Sequence, residues 1–172
     1  MNKDFTPSQT ETIMTQVVQP NDANPLGNLH GGILLYWMDN CSAISAARLS
    51  KALVVTVSVD GVSFKNAIEM GSFVTIKSKV TRTFRTSMEV FIEVWSENVQ
   101  TDVKRKCNEA YFTFVALDER GQPIPIAEIH PETDDEKRLY EGALRRRQVR
   151  LILGGKMKAG DAAELKAFIN KD

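Results

Sequence analysis

Apolar and polar positions change their rhythm once along the chain, and that change predicts the architecture. Glu11–Val18 reads as a strand with Ile13, Met14, Val17 and Val18 as its apolar members. The next ten residues, Gln19 to Asn28, are dense in Pro, Asn, Asp and Gly, which punctuate regular structure. Gly32–Leu49 is then almost wholly apolar or small, with Ile33, Leu34, Leu35, Tyr36, Trp37, Met38, Cys41 and Ile44 among its members. A helix apolar around most of its circumference is expected to be buried on all sides.

Beyond it the period becomes two. Leu53, Val55, Val57 and Val59 share one parity of Leu53–Asp60. Val74, Ile76 and Val80 alternate with polar residues in Ser72–Phe84, and Met88, Val90, Ile92 and Val94 lie opposite Glu89 and Glu93 in Thr86–Glu97. Ala110, Phe112, Phe114 and Ala116 share a face of Cys107–Leu117. Such runs predict antiparallel strands with one face on a core and one partly wet. Arg85 marks a tight hairpin. Thr133 and Glu136 fit a capping box opening a helix to about Arg150, with Asp134, Asp135 and Glu136 first and Arg145, Arg146, Arg147 and Arg150 last, as the helix dipole favours. Residues 1–10 are read as a frayed start, 11–150 as one α+β domain, and 151–172 as a tail with a short helix near Asp161–Ile169. A single sheet wrapped on one central helix leaves an edge, which favours pairing of subunits.

Composition narrows the function by exclusion. Lys plus Arg and Asp plus Glu are both 22, so no global charge points to nucleic acid or to an acidic surface. Cys41 and Cys107 are the only cysteines, giving neither a disulfide framework nor zinc spacing, and are expected to be buried, reduced thiols. No apolar leader and no uncharged run of roughly 18 residues is seen, so a cytoplasmic protein away from membranes is expected.

The chemistry concentrates in Asn24-Pro25-Leu26-Gly27-Asn28-Leu29-His30-Gly31-Gly32 and in Asp39. Glycines at a helix start admit close approach to the backbone. The first helical N–H groups lack partners within the helix, and the positive dipole end supports developing negative charge. These are the parts of an oxyanion hole, in which losing one donor costs about 10²–10³ in rate. Asp39 follows six apolar residues, so desolvated surroundings and a carboxylate made more basic are expected. Asp39 lies seven residues after Gly32, about 10.5 Å by helical rise. One carbonyl cannot easily reach both groups of the same helix, so a site completed across a subunit interface is expected.

Asn-x-x-Gly-x-x-His-Gly-Gly followed by an Asp seven residues after the second Gly resembles the hotdog-fold thioesterases. Val59-Asp60-Gly61-Val62-Ser63-Phe64, Arg85-Thr86-Ser87-Met88-Glu89-Val90 and Ala110-Tyr111-Phe112-Thr113-Phe114-Val115-Ala116-Leu117-Asp118 are similar to the acyl-CoA hydrolase branch. The resemblance spans roughly residues 11–150 and implies a curved antiparallel sheet wrapped around a long central helix. It implies hydrolysis of an acyl-CoA thioester to a free acid and coenzyme A, with no metal or bound cofactor. Asp39 would be general base or nucleophile, Asn24 would orient water and thioester, and Gly31 or Gly32 N–H would polarise the carbonyl. His30, Ser63, Phe64, Thr86, Ser87 and the arginines 145–147 are candidates for substrate contacts. It also implies a dimer of hotdogs assembling further, often as a trimer of dimers, with acyl-CoA between subunits. Phe64-Lys65-Asn66-Ala67, Gly71-Ser72, Arg85 and His30 depart from common family patterns and bear on nucleotide contacts and substrate choice. Two other readings use the same fold. An acyl-CoA-binding module needs no buried carboxylate, and a dehydratase needs a His–Asp pair, whereas His130 lies outside the motifs.

Overall fold

The computed structural model describes residues 5–64, 66–98 and 100–170. The chain clusters into two compact units, residues 1–130 and 131–172. In the first unit, β1 (Thr12–Val17) precedes the long helix α1 (Gly31–Ser50). Four strands follow it: β2 (Leu53–Asp60), β3 (Phe73–Thr83), β4 (Ser87–Asn98) and β5 (Val103–Leu117). They form one antiparallel sheet in the order β1-β3-β4-β5-β2, and α1 touches every strand of it. This is the hotdog arrangement expected from the sequence.

The period-two reading locates the core well in the central strands. Val74, Ile76, Val80, Met88, Val90, Ile92, Val94, Ala110 and Ala116 are all fully enclosed, with Phe112 and Phe114 at 1 % exposure. Full burial of one such Val, Ile, Met or Phe side chain contributes about 1.5–3 kcal/mol. Most polar groups inside are paired, Asn108 Nδ2 and Thr113 Oγ1 being exceptions among the described residues. Ser45 Oγ bonds Thr12 Oγ1 at 2.9 Å and Ser78 Oγ at 2.8 Å, tying α1 to β1 and β3.

Four expectations need correction. First, α1 is not buried all round. Leu34, Trp37, Met38, Cys41, Ser42, Ser45, Ala46 and Leu49 form its buried stripe, while Tyr36 is 62 % exposed and Ile44 41 %. One sheet covers only one side of a helix. Second, the apolar parity of β2 does not face the core: Leu53, Val55, Val57 and Val59 are 67, 42, 55 and 43 % exposed on this edge strand. Third, Glu89 is fully buried rather than wet, with its carboxylate accepting a 2.7 Å hydrogen bond from Thr81 Oγ1. Fourth, residues 5–10 of the expected frayed start carry defined structure, and residues 1–4 lie outside the described residues. Phe5 bridges to Ile129, and a short 3-10 turn, Pro7–Thr10, buries Thr10, whose hydroxyl accepts from Val80 N–H at 2.9 Å.

Cys107 lies within β5 rather than at its start, because β5 begins at Val103. Both thiols are free and buried. In the second unit, the Thr133–Glu136 capping box opens α2 (Asp134–Leu153), and α3 (Ala163–Ile169) follows a short 3-10 turn. Residues 171 and 172 of the tail lie outside the described residues. No helix among the described residues is long and apolar enough to cross a membrane.

Candidate active site

The Gln19–Asn28 stretch is an ordered loop, pinned before the helix begins. Leu29 N–H donates to Ile68 O at 2.7 Å, Met70 N–H to Gly27 O at 2.9 Å and His30 N–H to Asp22 O at 2.8 Å. Gly27 has φ +75°, a left-handed conformation that an L side chain would strain. Asn24 closes the loop from inside. Its Oδ1 accepts from Leu26 N–H at 3.0 Å and Asn28 N–H at 3.2 Å, an Asx turn that leaves its amide NH₂ without a bond among the described residues.

His30 is the N-cap of α1. Its Nδ1 accepts from Gly32 N–H at 3.0 Å, so this donor is already engaged. Ile33 and Leu34 N–H both donate to His30 O. Gly31 N–H is therefore the donor at the helix start that has no partner among the described residues. The Phe64 ring packs on Gly31, about 3.4 Å from where a Cβ would stand, so a Cβ there would meet the ring. The structure thus brings together Asn24, the His30–Gly32 turn and Phe64, with Ser63 adjacent to Phe64 in the chain.

Asp39 sits two turns along α1 and is half-buried. This corrects the expectation of a closed apolar surround: the six residues before it point around the helix, and Asp39 lies at the flank facing β2. Thr56 Oγ1 donates to Asp39 Oδ1 at 2.6 Å, while Oδ2 carries no hydrogen bond among the described residues. Thr56 was not among the residues singled out in the sequence. The available signal was a hydroxyl in the valine-rich strand that follows the helix carrying Asp39.

Thr86 and Ser87 lie elsewhere. They close the β3–β4 hairpin, where Phe84 N–H donates to Ser87 O at 2.7 Å and Ala116 N–H to Thr86 O at 3.1 Å. Ser87 is in register with Val115, and Val115 with Val55, near the start of β2. Ser63 and Phe64 follow the opposite end of β2. Arg145, Arg146 and Arg147 belong to the second unit. Arg145 lies over the Phe168 ring at 4.4 Å, and Arg146 donates to Leu139 O at 2.9 Å. Burial, then the charge of Arg150, pulls the Arg147 guanidinium below its ordinary value.

An antiparallel sheet around one helix, an open backbone donor at the helix start and a carboxylate held farther along define a hotdog protein equipped for acyl chemistry. A model of the thioesterase superfamily matches residues 26–103. YkhA of Bacillus subtilis, named an uncharacterized acyl-CoA thioester hydrolase, is 36% identical over 138 residues, covering 80% of each chain. An apo hexameric acyl-CoA thioesterase of known structure superposes with a TM-score of 0.83 at 38% identity, covering 86% of this chain and 95% of that one. An acyl-CoA hydrolase from Staphylococcus aureus, solved with butyryl coenzyme A, coenzyme A and coenzyme A disulfide, gives 0.81 at 30% identity, covering 90% and 96%. The chain belongs to the hotdog-fold acyl-CoA thioesterase family.

Proposed function

We propose that the protein hydrolyses acyl-CoA thioesters to a free carboxylic acid and coenzyme A. The observation that carries this reading is Asp39: one carboxylate oxygen is fixed by Thr56 and the other is left open to take a proton. As general base, Asp39 removes a proton from water while the oxygen attacks the thioester carbonyl carbon. Gly31 N–H, at the positive end of α1, receives the developing oxyanion. Collapse breaks the carbon–sulfur bond, and the departing thiolate takes the proton back from Asp39. If Asp39 instead attacks directly, the same donor serves an anhydride intermediate that water then opens. General-base assistance contributes about 10²–10⁴ in rate. Asn24 orients water or thioester through its unbonded NH₂. The reaction runs on the chain's own groups, with neither metal nor bound cofactor.

Two further observations support this assignment. Structures of the Staphylococcus aureus enzyme carry alanine in place of an asparagine, an aspartate and a threonine, and the intervals between those positions equal those separating Asn24, Asp39 and Thr56. The exposed apolar row of β2, with Tyr36 and Ile44 on the open side of α1, supports pairing of two subunits. With two α1 helices antiparallel across that pair, Asp39 of one meets Gly31 of the other. A hexamer is favoured by the hexameric relative. His30 acts here by capping the helix, Ser63 and Phe64 line the approach to Gly31, and Thr86 and Ser87 are assigned to the coenzyme A moiety. A cytoplasmic setting suits the two free thiols.

A binding module that holds acyl-CoA without turnover is the competing reading. Release of coenzyme A thiol from a panel of acyl-CoAs of increasing chain length, followed with a thiol-reactive dye, separates the two. Turnover supports the hydrolase, and stoichiometric binding without thiol release contradicts it.

A further inference from the structure

Strand β5 turns Ala110, Phe112, Phe114 and Ala116 into the core, each at most 1 % exposed. Asn108 continues this row by parity, with no register shift between it and Val115 on the β4 side. It is 6 % exposed, and its Nδ2 is enclosed with no hydrogen-bond partner among the described residues; its Oδ1 has none there either. An amide nitrogen shut away from water and from protein partners forfeits its hydration for nothing in return, and folds keep few such groups. The strand is also bulged beside it. Register passes from Val94↔Asn108 to Trp95↔Lys106, leaving Cys107 extra. Bulges re-aim side chains and recur next to active sites.

Asn108 borders a cleft of about 360 Å³ that Gly61, Ser63, Asn66 and Lys106 also line. Ser63, in this lining, precedes Phe64, whose ring packs on Gly31, the proposed oxyanion donor. The cleft's one cation among the described residues meets two carboxylates. Lys106 Nζ is held by Glu93 at 2.7 Å and by Glu109 at 2.8 Å, so its positive charge is already answered. What the cleft offers is hydroxyl and amide chemistry, suited to a neutral oxygen rather than to a phosphate. A half-turn of the Asn108 amide exchanges Nδ2 with Oδ1 and presents a donor on the other side.

We propose that Asn108 is a specificity-determining residue whose amide binds a neutral oxygen of the substrate in this cleft. The proposal rests on the acyl-CoA reading above. Such an oxygen comes either from the acyl chain, as a hydroxyl or oxo group, or from an amide of the pantetheine arm. Asn108→Leu removes the polar group at similar volume, and Asn108→Asp keeps the shape but replaces the donor with acceptors. For both variants and wild type, kcat/KM is measured on a straight-chain acyl-CoA and its 3-hydroxy and 3-oxo counterparts. Equilibrium Kd is measured for the same compounds and for free coenzyme A.

Loss of one hydrogen bond of this kind corresponds to about tenfold. A tenfold loss confined to the oxygenated chains, with coenzyme A affinity kept, identifies the acyl oxygen. A tenfold weaker coenzyme A Kd, with equal losses across the panel, identifies the pantetheine amide. Wild-type selectivity and coenzyme A affinity in either folded variant would overturn the proposal, and Asn108 would then be a packing defect only. Were Asn108→Leu not to fold, the isosteric Asn108→Asp decides alone. If wild type binds acyl-CoA without hydrolysing it, the hydrolase reading fails, while the same ratios of Kd still decide for Asn108.

Discussion

Thr56 Oγ1 donates a 2.6 Å hydrogen bond to Asp39 Oδ1, joining the middle of the edge strand β2 to the central helix. The bond fixes which carboxylate oxygen stays open and where it points. Thr56→Val keeps the β-branched shape and removes the donor. Because misplacement of a reacting group by about 1 Å can cost 10²-fold, the expected result is a kcat lowered about 10–10²-fold with KM little changed. Thr56→Ser, which retains the hydroxyl, is expected to recover most of the rate. Steady-state kinetics on one acyl-CoA checks both, and equal loss in the two variants contradicts an orienting role.

Gly31 and Asp39 lie eight residues apart on one helix, about 12 Å by helical rise. The proposed site is therefore shared between subunits. Asn24→Ala and Asp39→Ala homodimers are each expected to be nearly inactive. Heterodimers prepared by unfolding and refolding an equal mixture are expected to regain activity, since one of their two sites keeps both groups. Absence of recovery in heterodimers verified by mass spectrometry contradicts a shared site.

The uncovered row of Leu53, Val55, Val57 and Val59 makes a second test of assembly. Lysine at Val55 and Val57 places two charges where the proposed interface is apolar, at little cost to a single chain that leaves both positions exposed. Light scattering after size exclusion is expected to show a smaller particle than wild type, with turnover lost in parallel. An unchanged mass contradicts assembly through β2.

Burial pushes both thiols, Cys41 and Cys107, above the ordinary value of 9.0. Thiolate is the reactive form, so alkylation of the native protein at pH 8 is expected to be much slower than of the denatured chain. The same shift has a definite sign for stability. Below about pH 9 both folded and unfolded thiols are protonated and the contribution is fully present. Above it the unfolded chain loses its protons first, so the folded state binds more of them and stability falls as pH rises. Chemical denaturation between pH 7 and pH 10.5, compared with Cys41→Ala and Cys107→Ala, is expected to show a decline that the variants lessen.

Much of this was legible in the chain because alternation along a strand reports its own geometry. Met88, Val90, Ile92 and Val94 pointed to the core, and the Thr133–Glu136 box to a helix start, through short-range patterns alone. The apolar parity of β2 was equally clear, but periodicity says that a face is apolar, not which surface covers it. The same limit applies to the open side of α1 at Tyr36 and Ile44. The Asn24–Asp39 constellation was visible through its motif and spacing. Its wiring was not: whether His30 or a substrate takes the Gly32 N–H depends on a side-chain rotamer, and the Thr56–Asp39 bond depends on how β2 docks beside α1. Asn108 escaped notice because a lone Asn at a strand's polar end carries no local signal.

The most direct test of the proposed chemistry compares wild type with Asp39→Ala in release of coenzyme A from an acyl-CoA at saturating substrate, with coenzyme A affinity measured on the same samples. Wild type is expected to turn over, and Asp39→Ala to be at least about 10²-fold slower while binding coenzyme A with similar affinity. Equal rates for the two proteins would contradict the assignment of Asp39 and, with it, the active site built around the α1 helix.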